Sequence, residues 1–292
     1  MAVSGYLAVL AAVGCSARAE EPTLDVAFPF DAPALTVRSR SAMPDIPPAP
    51  VTLPLLVADG KHWRLVTSHG PVHVWIPRGY NPRRAQTIVY VHGYYIHVDD
   101  AWQQHRLPEQ FAASTINAMF IACEAPAGVS EGVYWESINA LLAEVGRGIG
   151  QKQAKRRIVA IGHSGAFRTL LGWLDEPELR TVVLLDAAYG EIESYRAWIT
   201  ASERHRLIDI AEDTQPWTEA LHKTLPESVV LEDFPSVEEG IPKSAARARI
   251  LYIKSKLGHF GLVTGGTAMP MILRTLRARR LLDVPLDEIL GK

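Results

Sequence analysis

Residues 157–168, Arg-Ile-Val-Ala-Ile-Gly-His-Ser-Gly-Ala-Phe-Arg, hold a serine in a setting that suits nucleophilic chemistry. An apolar run ends in Gly162-His163-Ser164-Gly165-Ala166 and passes straight into a segment of helical character. A serine on so tight a strand-to-helix turn is lifted above its neighbours, with its hydroxyl free to attack a carbonyl. The flanking residues must be small, because the turn has no room for larger side chains. Gly162 and Gly165 meet that need, and Ala166 is a small substitute at the fifth position. A serine hydroxyl is a poor nucleophile near neutral pH. It needs a base to take its proton, and the base needs an acid to orient it. The pentapeptide by itself recurs by chance in many chains, so its weight depends on what surrounds it.

The surrounding pattern is regular from residue 62 onward. Residues 62–67 and 72–76 are short β-like runs joined by Ser68-His69-Gly70-Pro71, which reads as a hairpin. Residues 87–92 (TIVYVH) and 118–123 (AMFIAC) are continuous apolar runs, as expected of strands buried on both faces. Residues 158–161, 181–185 (TVVLL), 206–210 and 250–254 (ILYIK) complete the predicted strands. Helices are predicted over 101–113, 133–149, 167–174, 194–203, 217–225 and 269–282 from their 3.6-residue apolar spacing. Strands alternating with helices imply a parallel sheet with right-handed crossovers.

Composition narrows the function classes. The chain has 292 residues, 48% hydrophobic and 21% charged, which is ample for one large core. Its net charge of −2 gives no ground for nucleic acid or an anionic membrane surface as a partner. With two cysteines, Cys15 and Cys123, neither a disulfide framework nor a cysteine-rich metal site can be built. No glycine-rich dinucleotide or phosphate loop is present. His92, His97, Asp99 and Asp100 match no zinc spacing and read as a charged surface turn. Residues 1–18 read as a signal or lipoprotein peptide, with an apolar run before Gly14-Cys15 and Cys15 as a lipid anchor. That implies export, to the periplasm or as a membrane-anchored lipoprotein; without such processing the protein is cytoplasmic. Residues 19–55 read as a Pro-rich linker or strap, with eight prolines between residues 20 and 54, and 56–292 as the folded domain.

A leading hairpin, strand–helix repeats, a serine turn after a buried strand and a histidine after the last strand form a specific order. In that order, over roughly residues 60–285, the chain resembles the serine hydrolases of the α/β-hydrolase fold, of the esterase and lipase kind. The resemblance implies an α/β architecture: a mostly parallel twisted sheet of about eight strands with helices on both faces. Only residues 187–205 separate the sixth and seventh strands, which leaves no room for a large lid domain.

The resemblance also implies roles. Ser164 is the nucleophile, and the chain order of nucleophile, acid and base makes His259, in Gly258-His259-Phe260-Gly261, the base. His222 falls inside a predicted helix and His205 just past one, and both read as polar surface residues. Two acids compete. Asp213 follows the seventh strand, the family's usual acid position, and is preferred; Asp186 closes TVVLL, where some relatives carry the acid. Glu212 is a minor third candidate. The preference draws on Arg168, unusual in a helix that should be buried, which is expected to pair with a carboxylate such as Asp186. The oxyanion hole falls to the Gly165 amide and to the Tyr94 amide in His92-Gly93-Tyr94-Tyr95. His92 reads as structural, and Glu124 either faces the cleft or caps a turn. Tyr95, Trp135 and Tyr189 are the expected substrate-binding residues, with Trp102 a further aromatic in a segment after a strand end. The expectation is a hydrolase cleaving an ester or related acyl bond of a small-molecule substrate, with no metal or organic cofactor. A peptidase, amidase or acyltransferase on the same residues, and a binding protein that retains the fold, stay open as alternatives.

Overall fold

The computed structural model describes residues 52–151 and 157–291. The expected signal peptide, Cys15 and most of the Pro-rich strap lie outside them. No helix among the described residues is long and apolar enough to cross a membrane.

The apolar runs of the sequence become the strands of one sheet. In chain order these are β1 (Lys61–Thr67), β2 (Gly70–Ile76), β3 (Gln86–Val91), β4 (Ala118–Cys123), β5 (Ile158–His163), β6 (Leu179–Leu185), β7 (Arg206–Ala211), β8 (Val229–Leu231) and β9 (Ile250–Lys254). Their spatial order is β1-β2-β4-β3-β5-β6-β7-β9-β8. β1–β2 and β2–β4 pair antiparallel, and the remaining pairs are parallel. The sheet thus has nine strands where the sequence suggested about eight. The extra one, β8, is three residues long and sits at the edge, too short to leave a periodic signal.

Eleven helices occur among the described residues: α1 (Thr52–Ala58), α2 (Val98–Gln104), α3 (Leu107–Ser114), α4 (Ile138–Ile149), α5 (Phe167–Trp173), α6 (Ile192–Ala201), α7 (Gln215–Lys223), α8 (Lys243–Arg247), α9 (Gly261–Thr264), α10 (Ala268–Thr275) and α11 (Leu286–Leu290). The predicted helix over 101–113 is two. Arg106 takes a left-handed conformation (φ 50°), and Pro108 starts a new helix in the first turn, where its missing N–H costs nothing. The predicted helix over 269–282 ends at Thr275. Beyond it the chain runs beside residues 115–117, where Asn117 N donates to Arg279 O (2.7 Å) and Leu281 N to Thr115 O (2.7 Å).

The strand pleat sorts the core into two layers. Ile88, Tyr90, Phe120, Ile161, Leu185, Ile210 and Ile253 pack with residues of α2, α3 and α10 on one face. Val89, Val91, Ile121, Ala160, Leu184 and Leu207 pack with residues of α4, α5 and α6 on the other. Burial on both faces explains why these strands read as unbroken apolar runs. Between β6 and β7 the chain holds α6 as its one helix, in keeping with the short connection seen in the sequence.

Candidate active site

The site forms at the C-terminal ends of β3, β5, β6, β7 and β9, from the turns that leave them. β5 delivers Ser164, whose φ of 53° is the strained left-handed geometry of a sharp strand-to-helix turn. A short 3-10 turn, Ser164–Ala166, then leads into α5. The need for small residues is measurable. A Cβ on Gly162 would lie 2.8 Å from Leu170 Cδ1 and 3.0 Å from Ala166 Cβ, so α5 could not close on β5. Ala166 is therefore compatible with this turn so long as position 162 is glycine.

The turn after β3 presses directly on the serine. A Cβ on Gly93 would lie 2.7 Å from Ser164 Cβ and 2.9 Å from His163 O. The Tyr94 ring covers Gly165, where a Cβ would meet ring carbons at 2.6 Å. The Tyr95 amide is taken by Ala127 O (2.8 Å). Gly93→Ala is expected to lower kcat by about 10²-fold through displacement of Ser164, with a native circular dichroism spectrum. Wild-type turnover in that variant would contradict the close approach.

His259 lies in the loop between β9 and α9. Gly258, at φ 80°, gives the loop its bend, and its N–H donates to Glu212 Oε2 (2.7 Å). Glu212 is thus a tie for the loop that carries His259 rather than a partner of the imidazole. His259 Nδ1 lies 2.5 Å from Asp186 Oδ2 and 3.8 Å from Asp213 Oδ2. Asp186 is fully buried, whereas the Asp213 side chain is 64% exposed. The preference for Asp213 is therefore corrected: Asp186 is the carboxylate in hydrogen-bond contact with His259. The physical reason is the turn after β7, which curls around Asp186. The amides of Glu212 (2.9 Å), Asp213 (3.1 Å) and Thr214 (2.9 Å) and the Thr214 hydroxyl (2.8 Å) all donate to the Asp186 carboxylate. Asp213 contributes its backbone, and its own largely exposed carboxylate stays 3.8 Å from His259 Nδ1, beyond hydrogen-bond reach.

Burial would raise the pKa of Asp186, but the His259 hydrogen bond and the Glu212 and Thr214 donors outweigh it and hold the carboxyl well below the usual range. An ionised Asp186 accepts the Nδ1 proton of His259, which leaves Nε2 as the nitrogen able to take a proton. A group whose folded pKa lies below its unfolded value of about 3.9 stabilises the fold fully above that pH and loses the effect as pH falls toward the folded value. The unfolding free-energy difference between wild type and Asp186→Asn, from urea titrations, should therefore shrink between about pH 7 and about pH 3. An unchanged difference would contradict the assignment.

The remaining expected residues divide. Tyr189, half-buried, is the middle ring of an aromatic row, with ring centroids 5.9 Å from Phe167 and 5.6 Å from Trp217. Tyr95 is 87% exposed at the rim, as is Phe260 at 60%. Trp135 is not a cleft residue: it is buried at 2% in the core layer with α4 and α5. Trp102 is likewise buried, stacked with His62 and His73. Arg168 does not pair with Asp186. It donates to Val129 O (3.1 Å) and Glu131 O (2.8 Å), tying α5 to the loop before α4. His92 and Glu124 are structural: Glu124 Oε1 bonds His92 Nε2 (3.0 Å) and His97 Nδ1 (3.2 Å), while Glu124 Oε2 accepts from Val98 N (3.3 Å). Asp99 pairs with Arg64 (2.6 Å) and His73 (2.8 Å). His222, expected at the surface, is buried and stacks on Tyr252. Phe167 and Trp217 were not anticipated; their signal was position alone, directly past the serine turn and past the turn after β7.

One group among the described residues brings three side chains that could ligate a cation together: Asp186, Asp213 and His259, with one ligand atom from each within 4.8 Å of the others. The Asp186 oxygens there already accept five hydrogen bonds, which is the setting of an ion pair rather than an open metal site.

No protein-family model matches the chain, and no curated protein does. Solved structures do. A ferulic acid esterase aligns with a TM-score of 0.51 at 8% identity, over 74% of this chain and 98% of its own. The chain has the α/β-hydrolase fold. Lower in similarity are a mutant feruloyl esterase module from Clostridium thermocellum (TM-score 0.46, 12% identity, 78% of this chain and 94% of that one) and an S-formylglutathione hydrolase from Agrobacterium tumefaciens (0.46, 9%, 74% and 94%). In this α/β-hydrolase fold the serine turn follows the fifth strand, and Asp186 and His259 follow β6 and β9.

Proposed function

We propose that the protein is a serine hydrolase that cleaves a carboxylic ester or related acyl bond, with Ser164 as nucleophile, His259 as base and Asp186 as acid. The observation that carries this reading is the 2.5 Å contact between His259 Nδ1 and a fully buried, hydrogen-bonded Asp186, beside a serine held at positive φ. Ser164 Oγ attacks the acyl carbon while His259 Nε2 takes its proton. Asp186 stabilises the imidazolium that forms. The amides of Tyr94 and Gly165 hold the tetrahedral oxyanion. Collapse expels the alcohol, protonated by His259, and leaves an acyl-enzyme. A water deprotonated by His259 then releases the acid and restores Ser164.

The aromatic row of Phe167, Tyr189 and Trp217 and the exposed Tyr95 and Phe260 favour apolar or aromatic acyl groups. The ferulic acid esterase among the structural neighbours is in keeping with that preference. A panel of p-nitrophenyl esters of increasing chain length, aryl esters and the matching anilides tests the reading. Ester turnover that exceeds anilide turnover and disappears in Ser164→Ala is expected. Preferred anilide cleavage would move the protein to the amidases, and acyl transfer to an added alcohol in place of water to the acyltransferases. No turnover of any of these by folded wild type would favour a binding protein on the same fold.

A further inference from the structure

His163, the last residue of β5 and the one before Ser164, is fully buried and belongs to none of the roles above. Its Nε2 lies 3.0 Å from the backbone oxygen of His259, across 96 residues of sequence. A carbonyl is an acceptor only, so Nε2 carries the proton and donates. The two imidazole rings lie 4.6 Å apart, and the His163 ring is 5.9 Å from Phe260. On its other side His163 backs the turn after β3, where a Cβ on Gly93 would come within 3.3 Å of its Nδ1. His105 meets its ring edge-on at 5.9 Å and is itself fixed by the Tyr90 hydroxyl at 2.8 Å. His163 thus touches the loop that carries the base and the turn that carries Tyr94, and it precedes the serine in the chain.

We infer that His163 is a positioning residue: its Nε2–H clamps the His259 carbonyl and so fixes the base loop against the serine turn. The inference rests on the proposed roles of Ser164 and His259. Gly258, at φ 80°, bends the base loop, and the Glu212 carboxylate ties its amide one residue before His259. A second fixed point on residue 259 itself is what holds the imidazole in register. Burial first, then the nearby His259 and His105, keeps the His163 pKa well below 6.5, so the ring stays neutral with one proton to donate. A buried donor of this kind is costly to leave unmatched. Removing it while keeping a ring should therefore loosen the loop more than the core.

The test compares His163→Phe, which keeps a ring and loses the donor, with His163→Gln, whose amide N–H reaches about as far as Nε2. His163→Phe is expected to lower kcat about 10²-fold with KM little changed, and His163→Gln to recover to within about tenfold of wild type. A second readout does not depend on turnover. The far-downfield proton NMR resonance of the His259–Asp186 hydrogen bond should persist in Ser164→Ala and be lost or broadened in Ser164→Ala combined with His163→Phe. Wild-type kcat and an intact resonance in the phenylalanine variant would overturn the inference. If Ser164→Ala left hydrolysis untouched, the hydrolase reading would fail, and the resonance alone would still decide the role of His163.

Discussion

Asp186→Asn is expected to lower kcat by about 10⁴-fold, and Asp213→Asn by less than tenfold. The contrast follows from where hydrogen bonds converge. Oδ1 of Asp186 accepts from the Glu212 and Thr214 amides and the Thr214 hydroxyl, while Oδ2 accepts from the Asp213 amide and faces His259. In the asparagine variant the single side-chain oxygen is drawn to the side with three donors. The new NH₂ then faces His259 Nδ1, which must accept, so the proton moves to Nε2. An imidazole protonated at Nε2 cannot take the Ser164 proton. The backbone survives the change, because Asp186 sits at φ 51° and asparagine tolerates the left-handed region well. The loss should thus appear in kcat without a loss of fold. Asp213, exposed and 3.8 Å away, adds a screened charge whose removal costs little. Steady-state kinetics on the best ester, with thermal unfolding as the fold control, gives the answer. Equal losses in the two variants, or a larger loss at Asp213, would return Asp213 to the role.

His259→Ala should cost more, about 10⁶-fold in kcat, because base and leaving-group acid are lost together. Stability should fall as well, since fully buried Asp186 loses its imidazole partner, while the loop keeps the His163 bond to the main-chain oxygen and the Glu212 bond to Gly258. Catalysis left over should equal that of Ser164→Ala, and the double variant should be no worse than either single one, because the two residues act as a unit. Additive losses would mean that Ser164 and His259 serve different steps. These comparisons need single-turnover or long-time assays, since residual rates fall near background.

The sheet and the serine turn were legible because burial on both faces writes itself as unbroken apolar runs, and because a strained turn against α5 admits only small residues at 162, 165 and 166. The His-Gly turn was legible for the same reason: only glycine fits at 93, within 2.7 Å of Ser164 Cβ. The acid was not. Asp186 and Asp213 end neighbouring strands, and their spacing in sequence carries nothing about which carboxylate turns inward. That is decided by the turn at 212–214, whose backbone amides converge on Asp186 and leave the side chain of Asp213 in solvent. Arg168 misled the sequence reading because a cation in a buried helix suggests a carboxylate partner, yet backbone carbonyls at 129 and 131 satisfy it equally well. Trp135 was placed by its distance from β4, and the structure turns it into the layer beneath α4 and α5.

The central claim is that Ser164 is an activated nucleophile, and covalent labelling tests it most directly. A fluorophosphonate incubated with the folded protein should add one equivalent, located by peptide mass spectrometry at Ser164, and none to Ser164→Ala. No adduct on folded wild type, or an adduct undiminished in Ser164→Ala, would contradict the account.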